Sequence, residues 1–492
     1  MQPEKIVARA RELYRDWDVA GLPEHLRRNS LDYYYLSVWP GLRHLDPVAE
    51  LELPARPAGV GYAYLHLPFC SGVCDFCSYF LTTTRDAATD PRVDRYLDQL
   101  LDQVRIHQQD QEIALTSMYL GGGTPSILTP DQLGRLLGTM RDLGVFAPGM
   151  VGTMELHPEI FADPDRLDRT LHTLASHGIR RVSIGYQSDD DAVLDATNRR
   201  HHADFLPRAA EHLRDRGFLF NVDLMYGLPG QSAGTWATTI TATLAVQPDS
   251  ISTYFTFVDY GTPLWRRVQR DPTLLTATED IQLCHIVAQV ALEEAGHHEL
   301  PNDFYAVPAD DPYGFRQLAL PSQTASLALG AGAYGYYPGV QYVNELSFAG
   351  YGRAIAEGRS PVWRAAVLSP AEELARDIMF SLKNAPLLSL PLFQRRHGTD
   401  PVTAYPREFD ELARLSLVDL GADAVRLTPK GRLVVEEIAC LFPPVRPEGT
   451  VASRVEANLV RKHHFAPTYA RRSTGGAAAV SRTGGRSRGW EA

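Results

Sequence analysis

Three cysteines stand within eight residues, Cys70, Cys74 and Cys77, in a CxxxCxxC spacing. The chain of 492 residues has only five in all. Thiolates at this spacing can wrap one soft metal centre. Structural zinc takes four ligands and would need another Cys or His nearby. The nearest histidine, His66, lies just upstream on a strand-like run, and no second CxxC follows. Three thiolates suit an iron–sulfur cube with one iron left open; zinc stands as the alternative. Cys284 and Cys440 fall in helix-like apolar stretches and are expected as core thiols. So few cysteines, so distributed, exclude a disulfide scaffold.

The elements that must carry this cluster alternate. Short apolar, β-branched runs occur at Gly61–His66, Ser117–Leu120, Val151–Leu156, Arg180–Ile184, Leu219–Met225 and Ser250–Phe257. Between them lie amphipathic stretches at Val93–Gln108, Pro130–Leu143, Pro164–His177, Asp189–Asn198, Phe205–Arg216 and Ser232–Ala245. Such alternation predicts βαβ units on a parallel sheet, here a partial (β/α)6 barrel of α/β class. Several strands end in polar or glycine-rich clusters, GGGTP, ELHPE, GYQS and LMYGLPG. Ligands of parallel α/β folds sit at the carboxyl ends of strands, so these clusters are expected on one face.

Around the barrel the chain divides into an N-terminal extension or lid at 1–60, the barrel at 61–300, and a Gly- and Tyr-rich connecting segment at 301–369. A small α+β, winged-helix-like unit is expected at 370–445 and a basic, disordered tail at 446–492. The tail carries eight Arg and Lys462 against Glu448, Glu456 and Glu491. The net charge of −11 argues against nucleic-acid binding by the body. No apolar window is long enough for a membrane span, and the N-terminus shows no secretory h-region. A cytoplasmic monomer is expected. The aromatic runs Tyr33–Trp39 and Tyr334–Tyr337 could line a flat ligand or serve as core. The histidine pairs His201-His202, His297-His298 and His463-His464 are expected to be solvated or capping.

The motifs taken together resemble the radical S-adenosylmethionine (SAM) superfamily. Tyr64-Leu-His66-Leu-Pro68-Phe69-Cys70 is similar to the YxHxPFC lead-in of its oxygen-independent coproporphyrinogen III oxidase-like (HemN-like) branch. Gly121–Ser126 resembles that branch's GGGTP turn, and Met154-Glu155 with Pro158 its third-strand acidic motif. Ser183–Ser188 resembles SxGxQ, Asn198-Arg199 its Asn-Arg pair, and Asn221–Pro229 its NxDLxxGLP. Residues 427–438 resemble the end of its C-terminal domain.

The resemblance implies a [4Fe-4S] cluster on Cys70, Cys74 and Cys77, whose open iron chelates one SAM and whose electron cleaves it to a 5′-deoxyadenosyl radical. It implies that Tyr64, Gly122 and Glu155 contact the first SAM, with Phe76 packing on its adenine. It implies a second SAM on Gly123, Thr124, Gln187, Arg199 and Asp223. The glycines of Gly121–Gly123 are expected to let backbone approach the ligand. An external electron donor of flavodoxin or ferredoxin type and a small-molecule substrate are implied; no catalytic acid or base is assigned.

Two departures steer the functional expectation. Coproporphyrinogen oxidases carry another Cys two residues after the third, where this chain has Tyr79. Heme-chaperone relatives carry HNxxYW, absent from Arg316–Leu329. The expected activity is therefore that of the class C methyltransferase and cyclopropanase members, with methyl or methylene transfer to an sp² carbon of a natural product. Coproporphyrinogen III dehydrogenation or other porphyrin chemistry is the alternative, followed by heme chaperoning.

Overall fold

The computed structural model describes residues 2–26, 38–54, 60–300, 304–306, 325–384 and 387–444. Six parallel strands form its centre: β1 (Val60–Leu67), β2 (Ile113–Gly122), β3 (Phe146–Leu156), β4 (Ile179–Gln187), β5 (Leu219–Tyr226) and β6 (Ser250–Phe255). Each is paired in parallel with the next. The helices of this core are α2 (Pro91–Asp110), α3 (Pro130–Asp142), α4 (Pro164–Ser176), α5 (Asp191–Ala196), α6 (Leu206–Asp215) and α7 (Ala233–Ala245); α1 (Pro3–Asp16) precedes them. Local sequence starts them: Asp90, Asp163 and Asp190 accept N-cap hydrogen bonds, and Thr129–Gln132 and Ser232–Thr235 form capping boxes. Proline at the first helical position of α2, α3 and α4 loses only a donor that has no intrahelical partner.

Toward their carboxyl ends the central strands alternate between two kinds of face. Ala63, Leu65, Met118, Leu120, Met154, Val182, Ile184, Val222, Leu224 and Ile251 are buried in the main core. Each such aliphatic side chain stabilises the fold by roughly 1.5–3 kcal/mol. The opposite face carries Tyr62, Tyr64, Ser117, Tyr119, Thr153, Glu155, Arg181, Ser183, Asn221, Asp223, Ser250, Ser252 and Tyr254, which meet as register partners across neighbouring strands. A closed eight-stranded barrel fills its interior with branched aliphatics. Here the six strands enclose a polar lumen.

The barrel is partial, as expected, because its two edges extend rather than meet. At one edge the sheet continues through β8 (Phe304–Ala306) and β7 (His298–Leu300), both antiparallel. At the other, β9 (Ser326–Leu329) runs parallel to β1, followed by β10 (Tyr334–Tyr337), β11 (Val340–Asn344) and β12 (Val362–Val367). Residues 325–367, part of the expected Gly- and Tyr-rich connecting segment, thus supply four strands. Their short Tyr- and Gly-rich stretches lack a long apolar run, which is why periodicity passed over them. Tyr336 and Tyr337 are buried, so this aromatic run is mostly core. In the other run, residues 31–37 lie outside the described residues, and Trp39 is buried.

Helix α1 buries Ile6 and Ala10 and packs against α7 and the long α9 (Thr278–Glu294). Cys284 is buried on α9, as expected of a core thiol. Helix α8 (Pro263–Arg270) follows β6, and α10 (Phe348–Ala356) separates β11 from β12. The C-terminal unit combines α11 (Pro370–Asn384), α12 (Leu390–His397) and α14 (Pro406–Arg414) with a three-stranded antiparallel sheet. Its strands are β13 (Leu388–Ser389), β15 (Ala424–Leu427) and, at the edge, β14 (Val418–Leu420). The short helices α13 (Pro401–Ala404), α15 (Pro429–Arg432) and α16 (Val435–Ala439) complete it. Among the described residues no helix is long and apolar enough to cross a membrane.

Candidate functional site

The cysteine loop leaves β1 at its carboxyl end and is pinned from three sides. Thr82 N–H donates to Pro68 O at 2.7 Å and Thr84 N–H to Cys70 O at 2.9 Å. Asn198, in the left-handed region at φ 58°, donates its side-chain amide to Val73 O at 2.8 Å. Asp75 receives Arg267 of α8 at 2.5 Å, and its backbone N–H donates to Thr197 O. The Asn198-Arg199 turn is therefore a clamp on this loop.

Two predicted residues touch the thiols directly. Thr124 Oγ1 donates to Cys70 Sγ and Arg199 Nη1 to Cys74 Sγ, both at 3.4 Å. The resemblance implied both residues on a second SAM and gave no account of their contact with these thiols. Arg199 also donates to Gly185 O. Its Nε and Gln187 Oε1 are buried without a hydrogen-bond partner. Gln187 lies in the left-handed region, at φ 69°.

The glycines of this turn are also required by the protein's own packing. A Cβ on Gly122, at φ +107°, would fall 2.4 Å from His66 Nδ1. One on Gly123 would meet Leu67 O and Phe69 O at 2.7 Å. Gly123 N–H and Thr124 N–H donate to those same two carbonyls, at 2.9 and 2.7 Å. The GGGTP turn is thus glycine-rich because β1 and the start of the cysteine loop press against it.

His66 uses both ring nitrogens, Nε2 on Phe80 O at 2.7 Å and Nδ1 against Tyr64 Oη at 3.1 Å. Burial lowers its pKa to about 4, so the ring is neutral. It is not free to complete a zinc site. Among the described residues no three His, Cys, Asp or Glu side chains converge on one ion-sized point. In a cube each thiolate takes its own iron, and three soft donors with hydrogen-bond donors behind them fit that group. Phe76 leans on Val258, Leu264 and Val268.

Polar groups line the lumen beside the loop. Glu155 is pushed up to about 8 by burial and by the field of Asp223, opposed by hydrogen bonds from Tyr119 and Gly122. Burial also raises Asp223, although Ser183 Oγ donates to it at 2.8 Å and Asn221 Nδ2 at 2.7 Å. Below them Arg181, 3% exposed, reaches Ser250 Oγ at 3.0 Å and Thr153 Oγ1 at 3.4 Å. Two carboxyl groups held against their ionised forms favour a cationic ligand, which would relieve their repulsion.

Tyr79 and Tyr254 were missed. Tyr79 is 60% exposed yet lies within the fields of Cys77, Glu155 and Asp223, and Tyr254, 36% exposed, within those of Asp223 and Tyr79. Their exposed rings border the lumen mouth. The period-two pattern SISTY at the start of β6 is the signal that could have found Tyr254.

Comparison with known proteins agrees with this geometry. Residues 64–242 match the Radical SAM superfamily model. The oxygen-independent coproporphyrinogen III oxidase of Salmonella typhimurium is 26% identical over 87% of this chain and 95% of its own length. The heme chaperone HemW of Bacillus subtilis is 26% identical over 77% of this chain and 98% of its own. The solved structure of coproporphyrinogen III oxidase (HemN) from Escherichia coli matches with a TM-score of 0.69 at 23% identity, covering 84% of this chain and 99% of that one.

These relatives overturn the expected natural-product methyl or methylene transfer. That expectation leaned on Tyr79 standing where a coproporphyrinogen oxidase has cysteine, and on the absent HNxxYW segment. Position 79 lies outside the three-cysteine set, so Tyr79 leaves Cys70, Cys74 and Cys77 in place. A [4Fe-4S] cluster and SAM follow from the superfamily. Residues 64–242 are thus similar to the radical SAM superfamily, and over 84% of its length the chain has a fold like that of the Escherichia coli coproporphyrinogen III oxidase.

Proposed function

We propose that the chain is a porphyrin-directed radical SAM enzyme acting on coproporphyrinogen III. The observation that carries this is the span of the likeness, 87% of this chain and 95% of the Salmonella enzyme. It reaches well beyond the barrel, into the segments that flank the lumen. Cys70, Cys74 and Cys77 would hold the cluster. Tyr64, Gly122 and Glu155 would hold the first SAM, with Phe76 near its adenine. Gln187, Arg199 and Asp223 would face a second, with Gly123 and Thr124 shaping the turn between the two. When bound, the cluster and SAM supply one-electron cleavage of SAM and hence hydrogen-atom abstraction from the substrate.

The chain's own groups do the rest. Glu155 and Asp223 offer negative charge to the cationic sulfonium and ammonium of SAM. Tyr79 and Tyr254 offer ring faces to the pyrrole rings of the porphyrinogen. The sheet extensions and helices around the lumen restrict the entry of water.

The test is anaerobic incubation of the reconstituted protein with coproporphyrinogen III, SAM and dithionite. Decarboxylated porphyrinogen, oxidised and separated by fluorescence-detected chromatography, should rise in step with 5′-deoxyadenosine. Formation of 5′-deoxyadenosine with no porphyrinogen consumed would sink the proposal.

A further inference from the structure

The cysteine loop also borders a cleft that shares none of the charged groups of the lumen. Ser71, Gly72 and Val73, the residues between the first two cysteines, form one wall of a cleft of about 500 Å³. Arg85, Arg92 and Arg200 stand around it, all three exposed. Arg92 is tied to Asp90 at 2.6 Å and to Thr83 O at 2.9 Å. Arg85 and Arg200 make no ion pair with a described acid. None of the lumen groups Glu155, Asp223, Tyr79 or Tyr254 lines this cleft.

We infer that this cleft is the docking surface for an acidic, flavodoxin-type electron carrier. The inference rests on the cluster assignment and is independent of the substrate. The cluster must receive one electron per SAM cleaved, and the lumen side of its loop faces SAM and substrate. The cleft brings a partner against the ligand loop itself, at Ser71, Gly72 and Val73. The donor's flavin hydroquinone anion gives up one electron and keeps its proton, while the cluster's charge falls from 2+ to 1+.

Charge complementarity selects the occupant. The chain carries −11 overall, so an acidic protein is repelled by most of its surface and drawn to a local cationic spot. Arginines exposed around an open cleft suit a broad acidic face. A built site for a small anion would instead enclose it with buried donors.

The test uses Arg85→Glu/Arg200→Glu, with Arg85→Gln/Arg200→Gln as the milder pair should the reversal fail to fold. Binding of a bacterial flavodoxin to the cluster-free protein is titrated at low and at high salt. At low salt the reversal should raise Kd about tenfold or more and the Gln pair less, with both differences shrinking at high salt. In reconstituted protein, stopped-flow bleaching of the cluster by reduced flavodoxin should slow correspondingly, while bleaching by dithionite stays unchanged. Unchanged flavodoxin binding in the charge-reversed protein would overturn the inference. So would an equal loss of the dithionite rate, or citrate binding that the substitutions abolish while flavodoxin binding persists. Because porphyrinogen is absent throughout, failure here is distinct from failure of the proposed function.

Discussion

Arg199 Nη1 lies 3.4 Å from Cys74 Sγ, so a guanidinium from the turn after α5 donates to a thiol proposed as a cluster ligand. The same side chain also holds Gly185 O at the end of β4. This couples the loop that would carry iron to the strand that ends in Gln187.

A hydrogen bond to a ligating sulfur stabilises the reduced, more negative cluster. A bond worth about 1 kcal/mol shifts a one-electron potential by roughly 40 mV. Arg199→Met should therefore lower the midpoint potential, read by redox titration with EPR detection, and slow SAM cleavage. Arg199→Lys should restore part of the shift. A potential unchanged in both variants would mean that the contact does not tune the cluster.

Glu155→Gln tests the lumen electrostatics through pH. The Glu155 carboxyl is raised to about 8 from its ordinary 4.5. The folded protein therefore keeps this proton where the unfolded chain has released it. The contribution to stability is greatest below about pH 4.5 and is lost as pH rises toward 8. Thermal melts of the cluster-free protein at pH 5 and pH 8.5 should differ more for wild type than for Glu155→Gln. A cationic ligand should expel the proton. Calorimetry at pH 7 in buffers of different ionisation enthalpy should show proton release on SAM binding to wild type and less with Glu155→Gln.

Gly122→Ala should destabilise the turn itself. The residue sits at φ +107°, and the added Cβ would strike the His66 ring at 2.4 Å. Backbone strain alone costs about 1–3 kcal/mol, and displacing His66 would break its bond to Phe80 O. A clear fall in Tm and poor cluster incorporation are expected. Normal melting with full cluster loading would show that the turn yields cheaply.

Much of this architecture is legible in the chain because the strands are short and helices with strong caps separate them. The six central strands and their helices fall where alternation puts them, with ends shifted by a few residues. Residues 325–367 were opaque because their strands are edge additions, specified by pairing with β1 and one another more than by local pattern. The cysteines are readable from spacing. The contacts of Thr124 and Arg199 with thiols are not, since they depend on how far two turns fold over the loop. The functional error has a similar origin. Two departures, Tyr79 and the absent HNxxYW segment, were given weight that the length of the whole match outweighs.

Tyr79 then becomes the residue to vary. Its exposed ring lies within the fields of Cys77, Glu155 and Asp223, and it supplies no thiolate. Tyr79→Ala should keep the cluster chromophore and substrate-free SAM cleavage close to wild type, while kcat/KM for porphyrinogen falls about tenfold through lost ring contact. Tyr79→Phe should recover most of that loss, because the ring face and not the hydroxyl makes the contact. Tyr79→Cys, which restores the cysteine of the coproporphyrinogen oxidases, should leave the iron content unchanged, since three thiolates already fill the ligand set. If Tyr79→Ala lost its chromophore, the ring would be shielding the cluster, and its role would lie with the cofactor and not with the substrate.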